Sequence, residues 1–297
     1  MMAKQQIQEI LAAFEYYDGI YKRDAVDAAI ALKEEITPHL IGVLEKVSAN
    51  PAEYAPNEDY MAHLYAFMLL GHFKEPQAHQ VIVNLFSLPE RYISPLFDDI
   101  ITEDLPAVLY HTCGGSLDRI KGLAENQDAY EYCRSSALRA LNYAVAGGLV
   151  SRAAVLEYYH KILLAAEEAE DDEFFTLAAG DVLDLHPEEI KEVIYQGFEK
   201  DLIDPILIDR DYFDELLSEG PEANLSRLQE EIRRHSLESV HEAMAWWAAF
   251  DAGPEFTGRV PAVLDKIKQL DQAEKKKKAA KKKKRKIAKA SKKKQRR

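Results

Sequence analysis

Helix-opening signals recur along this chain at Pro38, Pro76, Ser116, Ser151 and Pro187, at intervals of 38, 40, 35 and 36 residues. Proline is favoured in a first helical turn, where its missing N–H leaves no bond unmade, and serine caps a helix start. Irregular spacing between about 34 and 47 residues is the range of helical solenoid repeats. Such a pattern restricts the fold strongly, because one helical hairpin cannot bury both apolar faces alone and needs neighbours of the same kind.

The stretch from Ile101 to Glu170 carries the pattern most fully. Tyr130, Cys133, Ala137, Ala140, Leu141 and Ala144 recur every three or four residues and so share one helical stripe. Gly147 and Gly148 end that helix, since glycine most readily takes the left-handed conformation that closes one. Ser151 caps a second helix, with Val155, Tyr159, Ile162, Leu163 and Ala166 as its stripe.

The same reading predicts helices over Ala3 to Phe14, Asp24 to Glu35, from Thr37-Pro38 onward, Asn57 to Phe73, from Glu75-Pro76 onward, Asp172 to Leu185, and from His186-Pro187 onward. Small residues fall at matching places, as at Ala25, Ala28 and Ala29, at Ala62 and Ala66, and at Ala178 and Ala179, where they let successive helices approach closely. The expected fold is all-α, an α-solenoid of helical hairpins; a non-repeating helical bundle is the alternative. From Ile203 to Gly220 the pattern weakens to a loop and a short helix. Leu225 to His235 and Leu237 to Phe250 form a last pair, whose aromatic end at Trp246 and Trp247 is expected to cap the core of the final repeat.

Charge divides the chain in two. All 51 acidic residues lie at or before Glu274 with only 22 of the 38 basic ones, a formal charge of −29, while 16 lysines and arginines fill the last 23 residues. So acidic a body repels polyanions. The tail attracts them, and its lysines cannot collapse together, so it is expected to be disordered or a fraying helix. The expected units are a helical domain over 1–252, a linker and short helix over 253–274, and a lysine-rich tail over 275–297. Lys276, Lys278, Lys282, Lys284, Arg285, Lys286, Lys293 and Arg296 are its candidate polyanion contacts. No aromatic residue stands among them to stack on a base, which predicts charge-driven binding without sequence preference to RNA, DNA, a ribosome, anionic lipid or the acidic body itself. A purely solubilising tail is the plain alternative.

Cys113 and Cys133 form no CxxC pair, which argues against a disulfide framework or a zinc knuckle and fits a reducing cytosol. The start, MMAKQQIQEIL, lacks the apolar core of a signal peptide, and the apolar run from Tyr60 to Phe73 is too short to span a bilayer. A soluble cytoplasmic protein without a transmembrane segment is expected.

TEDLP at Thr102 to Pro106, CGG at Cys113 to Gly115 and RSSALRAL at Arg134 to Leu141 resemble the bacterial HEAT-like repeat family catalogued as domain of unknown function 1186. The likeness runs from about Ile7 to Phe250. It implies HEAT-like hairpins and brings no activity, cofactor or catalytic residue. The resemblance also implies that some relatives end in a cysteine-rich zinc-binding module, where this chain has its lysine tail.

Candidate chemistry is sparse. Glu103 and Asp104 are adjacent carboxylates able to serve as acid, base or metal ligand, or simply as first-turn acids that complement the helix dipole, with Pro106 inside that turn. Cys113 before two glycines reads as a nucleophile near a backbone nest, or as a small buried residue before a helix stop. The nine histidines show no metal-ligand spacing, and Asp201, Asp204, Asp209, Asp211 and Asp214 lack the glycine and closing glutamate of a calcium loop, so they read as a solvated face. The reading is a scaffold that binds another protein, with no cofactor. Its rivals are a nucleic-acid- or ribosome-associated protein acting through the tail, and a lyase-like or chaperone-like protein. Related HEAT-like repeats occur in proteins that attach bilin pigments, and that rival requires Glu103, Asp104 and Cys113 to line one pocket.

Overall fold

The computed structural model describes residues 2–245 together with Trp247 and Phe250, and among them the chain is all-α. Its helices are α1 (Met2–Glu15), α2 (Arg23–Ala31), α3 (Lys33–Ala49), α4 (Pro51–Tyr54), α5 (Ala62–His72), α6 (His79–Phe86), α7 (Glu90–Phe97), α8 (Ile100–Glu103) and α9 (Leu105–Thr112). They continue with α10 (Asp118–Glu125), α11 (Glu131–Ala146), α12 (Arg152–Ala169), α13 (Asp172–Asp181), α14 (Lys191–Glu199), α15 (Arg210–Ser218), α16 (Pro221–Arg234) and α17 (Val240–Met244). The expected linker over 253–274 and tail over 275–297, with every candidate polyanion contact, lie outside the described residues.

Local chemistry fixes several boundaries where the sequence pattern puts them. The Glu75 side chain accepts a hydrogen bond from the Gln77 N–H and opens the turn Pro76–Ala78 that leads into α6. The Ser151 hydroxyl accepts from the Ala154 N–H at the start of α12. Gly148, at φ +72°, turns the chain out of α11.

Several boundaries differ from expectation: the helix expected over Asp24 to Glu35 ends at Ala31, the one from Leu225 begins at Pro221, and the one from Leu237 begins at Val240. Pro38 lies inside α3, which begins five residues earlier. An interior proline removes one helical bond, yet Ile36, Leu40, Leu44 and Val47 are wholly buried along this helix, and their packing carries it through. The expected helix from Asn57 to Phe73 starts only at Ala62. Tyr17 N–H donates to the Asp59 carbonyl and Met61 N–H to that of Glu15, so the preceding turn is tied to the end of α1 instead.

The arrangement follows from which stripes meet. α5, α9, α11 and α13 form one row, each against the next, with α3 beside α5 at its head. α3, α6, α10, α12 and α14 run behind them. The link between α10 and α12 includes the Tyr158 hydroxyl, which donates to the Lys121 carbonyl at 3.1 Å. One continuous apolar core runs through both layers, from Ile7 to Met244.

Past Ile203 the chain turns back along the first row. α16 packs on α11 and on the turn Val182–Leu185, and α17 packs on α5. His72 Nδ1 bonds the Leu237 carbonyl at 2.7 Å, and His241 bridges the Tyr21 hydroxyl and Asp27, both at 2.9 Å. Phe250 then lies 5.4 Å from the Tyr21 ring and 6.2 Å from Tyr65. Trp246 lies outside the described residues, while Phe250, with Trp247 stacked on it at 6.1 Å, therefore sits against the first helices rather than on the last repeat. A rim of tyrosines at the N-terminal end offers it more ring surface than α14, which already packs Phe198 and Tyr195 against Phe213. Among the described residues, no helix is long and apolar enough to cross a membrane.

Candidate functional site

Where the returning segment crosses the row, polar groups replace the apolar seam. α11 turns Ser135, Arg139 and Asn142 onto one face, at the spacing that stacks side chains along a helix. Arg139 donates to the Thr102 carbonyl and pairs with Glu231 of α16, whose carboxylate also accepts from the Tyr143 hydroxyl at 3.2 Å. Ser135 donates to Asp181 at 2.6 Å, the Asn142 amide donates to the Asp181 carbonyl at 2.8 Å, and Tyr159 donates to Asn142 at 3.1 Å. The buried Asn224 of α16 donates to the Leu183 carbonyl.

Three acids thus crowd one half-buried guanidinium. Burial pushes the Asp181 carboxyl up to about 7 against the pull of Arg139 and of its Ser135 hydrogen bond. Burial and then Glu231 push Asp184 up to about 6. Charged groups this deep persist only when paired, and Arg139 is the pairing group.

Two clefts flank this seam. One, of about 340 Å³, lies between the turn after α13 and helices α15 and α16; Leu183, Leu207, Tyr212 and Leu216 supply its apolar wall. The other, of about 700 Å³, lies between the start of α9 and the segment joining α16 to α17; Glu103, Asp104, Arg234, His235, Glu238 and Glu242 are among its lining. Arg234 borders both.

Asp104 occupies the larger cleft in an unusual state. It precedes α9 without capping it, for its side chain accepts no hydrogen bond from the helix. The residue is only 6 % exposed. Burial first, and then neighbouring Glu103, push its carboxyl up to about 7. Glu103 ends α8, and Pro106 sits in the first turn of α9.

Cys113 is elsewhere. It closes the opposite end of α9, buried, ahead of Gly114 and Gly115 at φ +59° and +88°, and it does not line the cleft that holds the two acids. Eight residues of helix at 1.5 Å each separate the two ends by roughly 12 Å.

The remaining candidates take structural places. Asp209 caps α15 through the Tyr212 N–H, Asp214 accepts from the Tyr195 hydroxyl at 2.6 Å, and Asp204 accepts from the Ile206 N–H. No group of three histidine, cysteine or acidic side chains is placed to hold a metal among the described residues. The seam of Arg139, Asp181, Asp184 and Glu231 did not emerge from the sequence reading. Its one local signal is the RSSALRALNY run itself, in which Ser135, Arg139 and Asn142 lie four and three residues apart on a helix with little other charge.

A family model described as Protein of unknown function (DUF1186) matches residues 5–251. An uncharacterized protein of Chlamydia muridarum (strain MoPn / Nigg) is 28% identical over 247 residues, covering 82% of this chain and 98% of that protein. An uncharacterized protein of Chlamydia trachomatis serovar D is 28% identical over 214 residues, 72% of this chain and 85% of its own length. No solved structure matches.

Proposed function

Because the chain belongs to the family described as Protein of unknown function (DUF1186), whose match spans residues 5–251, we propose one role for that whole stretch: an α-solenoid of HEAT-like hairpins that docks another protein in the cytoplasm. The solenoid reading is supported by two rows in which each helix meets its sequential neighbours. Stacked hairpins of this kind present extended surfaces without requiring a catalytic cleft.

One observation carries the docking role. Ile206 is 91 % exposed, and Leu207 and Tyr212 beside it are more than half and nearly half exposed. Leu207 and Tyr212 also wall the 340 Å³ cleft, so an apolar rim stands next to a partly apolar hollow. Clustered exposed apolar side chains, rimmed here by Arg227, Glu230 and Arg234, are the surface chemistry of protein contacts. The inner face of the α5 to α13 row is a weaker candidate, because α16 and α17 cover part of it.

The test compares capture from native cells by the full chain and by Ile206→Asp, a change at a site too exposed to disturb the core. A partner retained by the natural chain and lost with Ile206→Asp supports the role; identical partners in both would remove this surface from it.

A second reading rests on the 16 basic residues in the last 23: the tail adds nonspecific attraction to a polyanion such as RNA, DNA or a ribosome. Deleting 275–297 is expected to abolish RNA retention at low salt, and unchanged retention would reject the tail as the binding element. The lyase-like alternative has less support, because Cys113 does not line the cleft that holds Glu103 and Asp104.

A further inference from the structure

We propose that the 700 Å³ cleft around Asp104 is a receptor for a lysine ammonium group, and that the lysine comes from the chain's own 275–297 segment. The inference is independent of the apolar docking surface formed by Ile206, Leu207 and Tyr212. It starts from a buried acid with nothing to pair with. Asp104 is 6 % exposed, faces the cleft, and receives no hydrogen bond or ion pair among the described residues. A carboxyl so enclosed, open only to the cleft, is costly to ionise without a partner, whereas Asp181 and Glu231 of the seam each accept a side-chain hydrogen bond.

The surrounding charge selects the ligand. Glu103, Glu238 and Glu242 line the same cleft, and none of these three makes an ion pair among the described residues. Of the basic side chains on the wall, Arg233 is engaged with Glu230 at 2.7 Å, and the exposed Arg234 lies on the border with the smaller cleft. A compact ammonium with three donors is suited to bridge Asp104 and the rim glutamates. It also favours the ionised form of Asp104, whose carboxyl burial otherwise holds near neutrality.

Reach and supply point to the chain's own lysines. Phe250 lies against Tyr21, close to where His241 of α17 joins the same ring, and α17 contributes Glu242 to the cleft. The 24 residues from 251 to 274 span at most about 80 Å. A tethered group acts at up to millimolar effective concentration. The complement is large, with −29 on the body against 16 positive charges on the tail.

The full chain would be treated with a carbodiimide, which condenses a carboxylate and an amine in direct contact into an amide with loss of water, and the products mapped by mass spectrometry. Links from Glu103, Asp104, Glu238 or Glu242 to lysines of 275–294, abolished by molar salt and unaffected by protein dilution, are expected. Links scattered over the acids of the body without enrichment at the cleft would overturn the site. Links whose yield rises with protein concentration would assign it to a second copy's tail and overturn the intramolecular part. In parallel, the triple variant E103Q, D104N, E242Q is expected to bind oligouridylate about three- to tenfold more tightly at low salt, because the tail is released. Folding is controlled by circular dichroism, and unchanged affinity in a folded triple variant counts against the proposal.

Discussion

Arg139, in the middle of α11, pairs with Glu231 of α16, 92 residues further along the chain. This one side chain ties the row of repeats to the segment that folds back across it, and it is the pairing group for Asp181 and Asp184 as well.

Replacing Arg139 with methionine keeps most of the apolar stem and removes the charge. Three acids would then share a buried site with no cation, and breaking a buried pair from one side typically costs about 3–5 kcal/mol. Glu231→Gln should cost less, because Arg139 keeps the Thr102 carbonyl. The loss for Arg139→Met should be larger at pH 8 than at pH 5, where Asp181 and Asp184 can take up protons. Urea unfolding of both variants at the two pH values measures this.

Asp104 makes the opposite kind of prediction. Its carboxyl titrates near the ordinary 3.8 when unfolded and at about 7 when folded. Between those values the folded state holds more protons, so this residue's contribution to stability falls as pH rises from about 4 to about 7. Asp104→Asn removes the titration. In molar salt, which screens the proposed tail contact, it should leave stability almost unchanged below pH 4 and raise it by roughly 1–3 kcal/mol at pH 8, the desolvation penalty of an unpaired buried group. At low salt the gain at pH 8 should shrink or reverse, because the tail lysine then pairs with the natural carboxylate.

Local signals made the hairpins legible and left the return of the chain illegible, for a physical reason. Glu75, Pro76, Ser151 and Gly148 act on their own neighbours within a turn, so their effect can be read from spacing. Pro38 misled because the burial of Ile36, Leu40, Leu44 and Val47 outweighs a preference confined to one turn. The contacts of His241 with Tyr21 and Asp27 join residues more than 200 positions apart, and no periodicity records them. Glu103 and Asp104 stood out as a pair, but the cleft that gives Asp104 its state is completed by α16 and α17.

Gly71 offers a test of that return. A Cβ at this position would stand 2.7 Å from Val108 Cγ2 and 2.8 Å from Leu237 Cδ1. Both are side-chain ends, but Val108 and Leu237 are almost wholly buried and have little room to turn aside. Gly71→Ala should therefore destabilise by about 1–3 kcal/mol, the usual cost of overpacking. The strain falls on the segment carrying Leu237, so limited proteolysis should cut between α16 and α17 faster than elsewhere. Uniform acceleration along the chain would mean that the segment does not yield separately.

His63 and His79 are both buried, and burial holds each imidazole at about 4, against 6.5 when free. The unfolded state binds more protons between those values, so both residues remove stability as pH falls from about 6.5 to about 4. Replacing either with leucine should flatten that limb. At pH 7 the two variants should part. His63 Nε2 donates to the Leu96 carbonyl at 2.7 Å, so His63→Leu leaves a buried acceptor short and should cost about 1–3 kcal/mol. Each ring's other nitrogen, His63 Nδ1 and His79 Nε2, is without a partner among the described residues, so the difference lies in the acceptor left behind: His79 Nδ1 donates to the Thr112 hydroxyl, which keeps its own bond to the Val108 carbonyl. His79→Leu therefore leaves a hydroxyl that is still hydrogen-bonded, and its cost should stay below about 1 kcal/mol. Equal losses for the two variants in thermal unfolding at pH 7 would show that ring packing, rather than the Leu96 carbonyl, sets the cost.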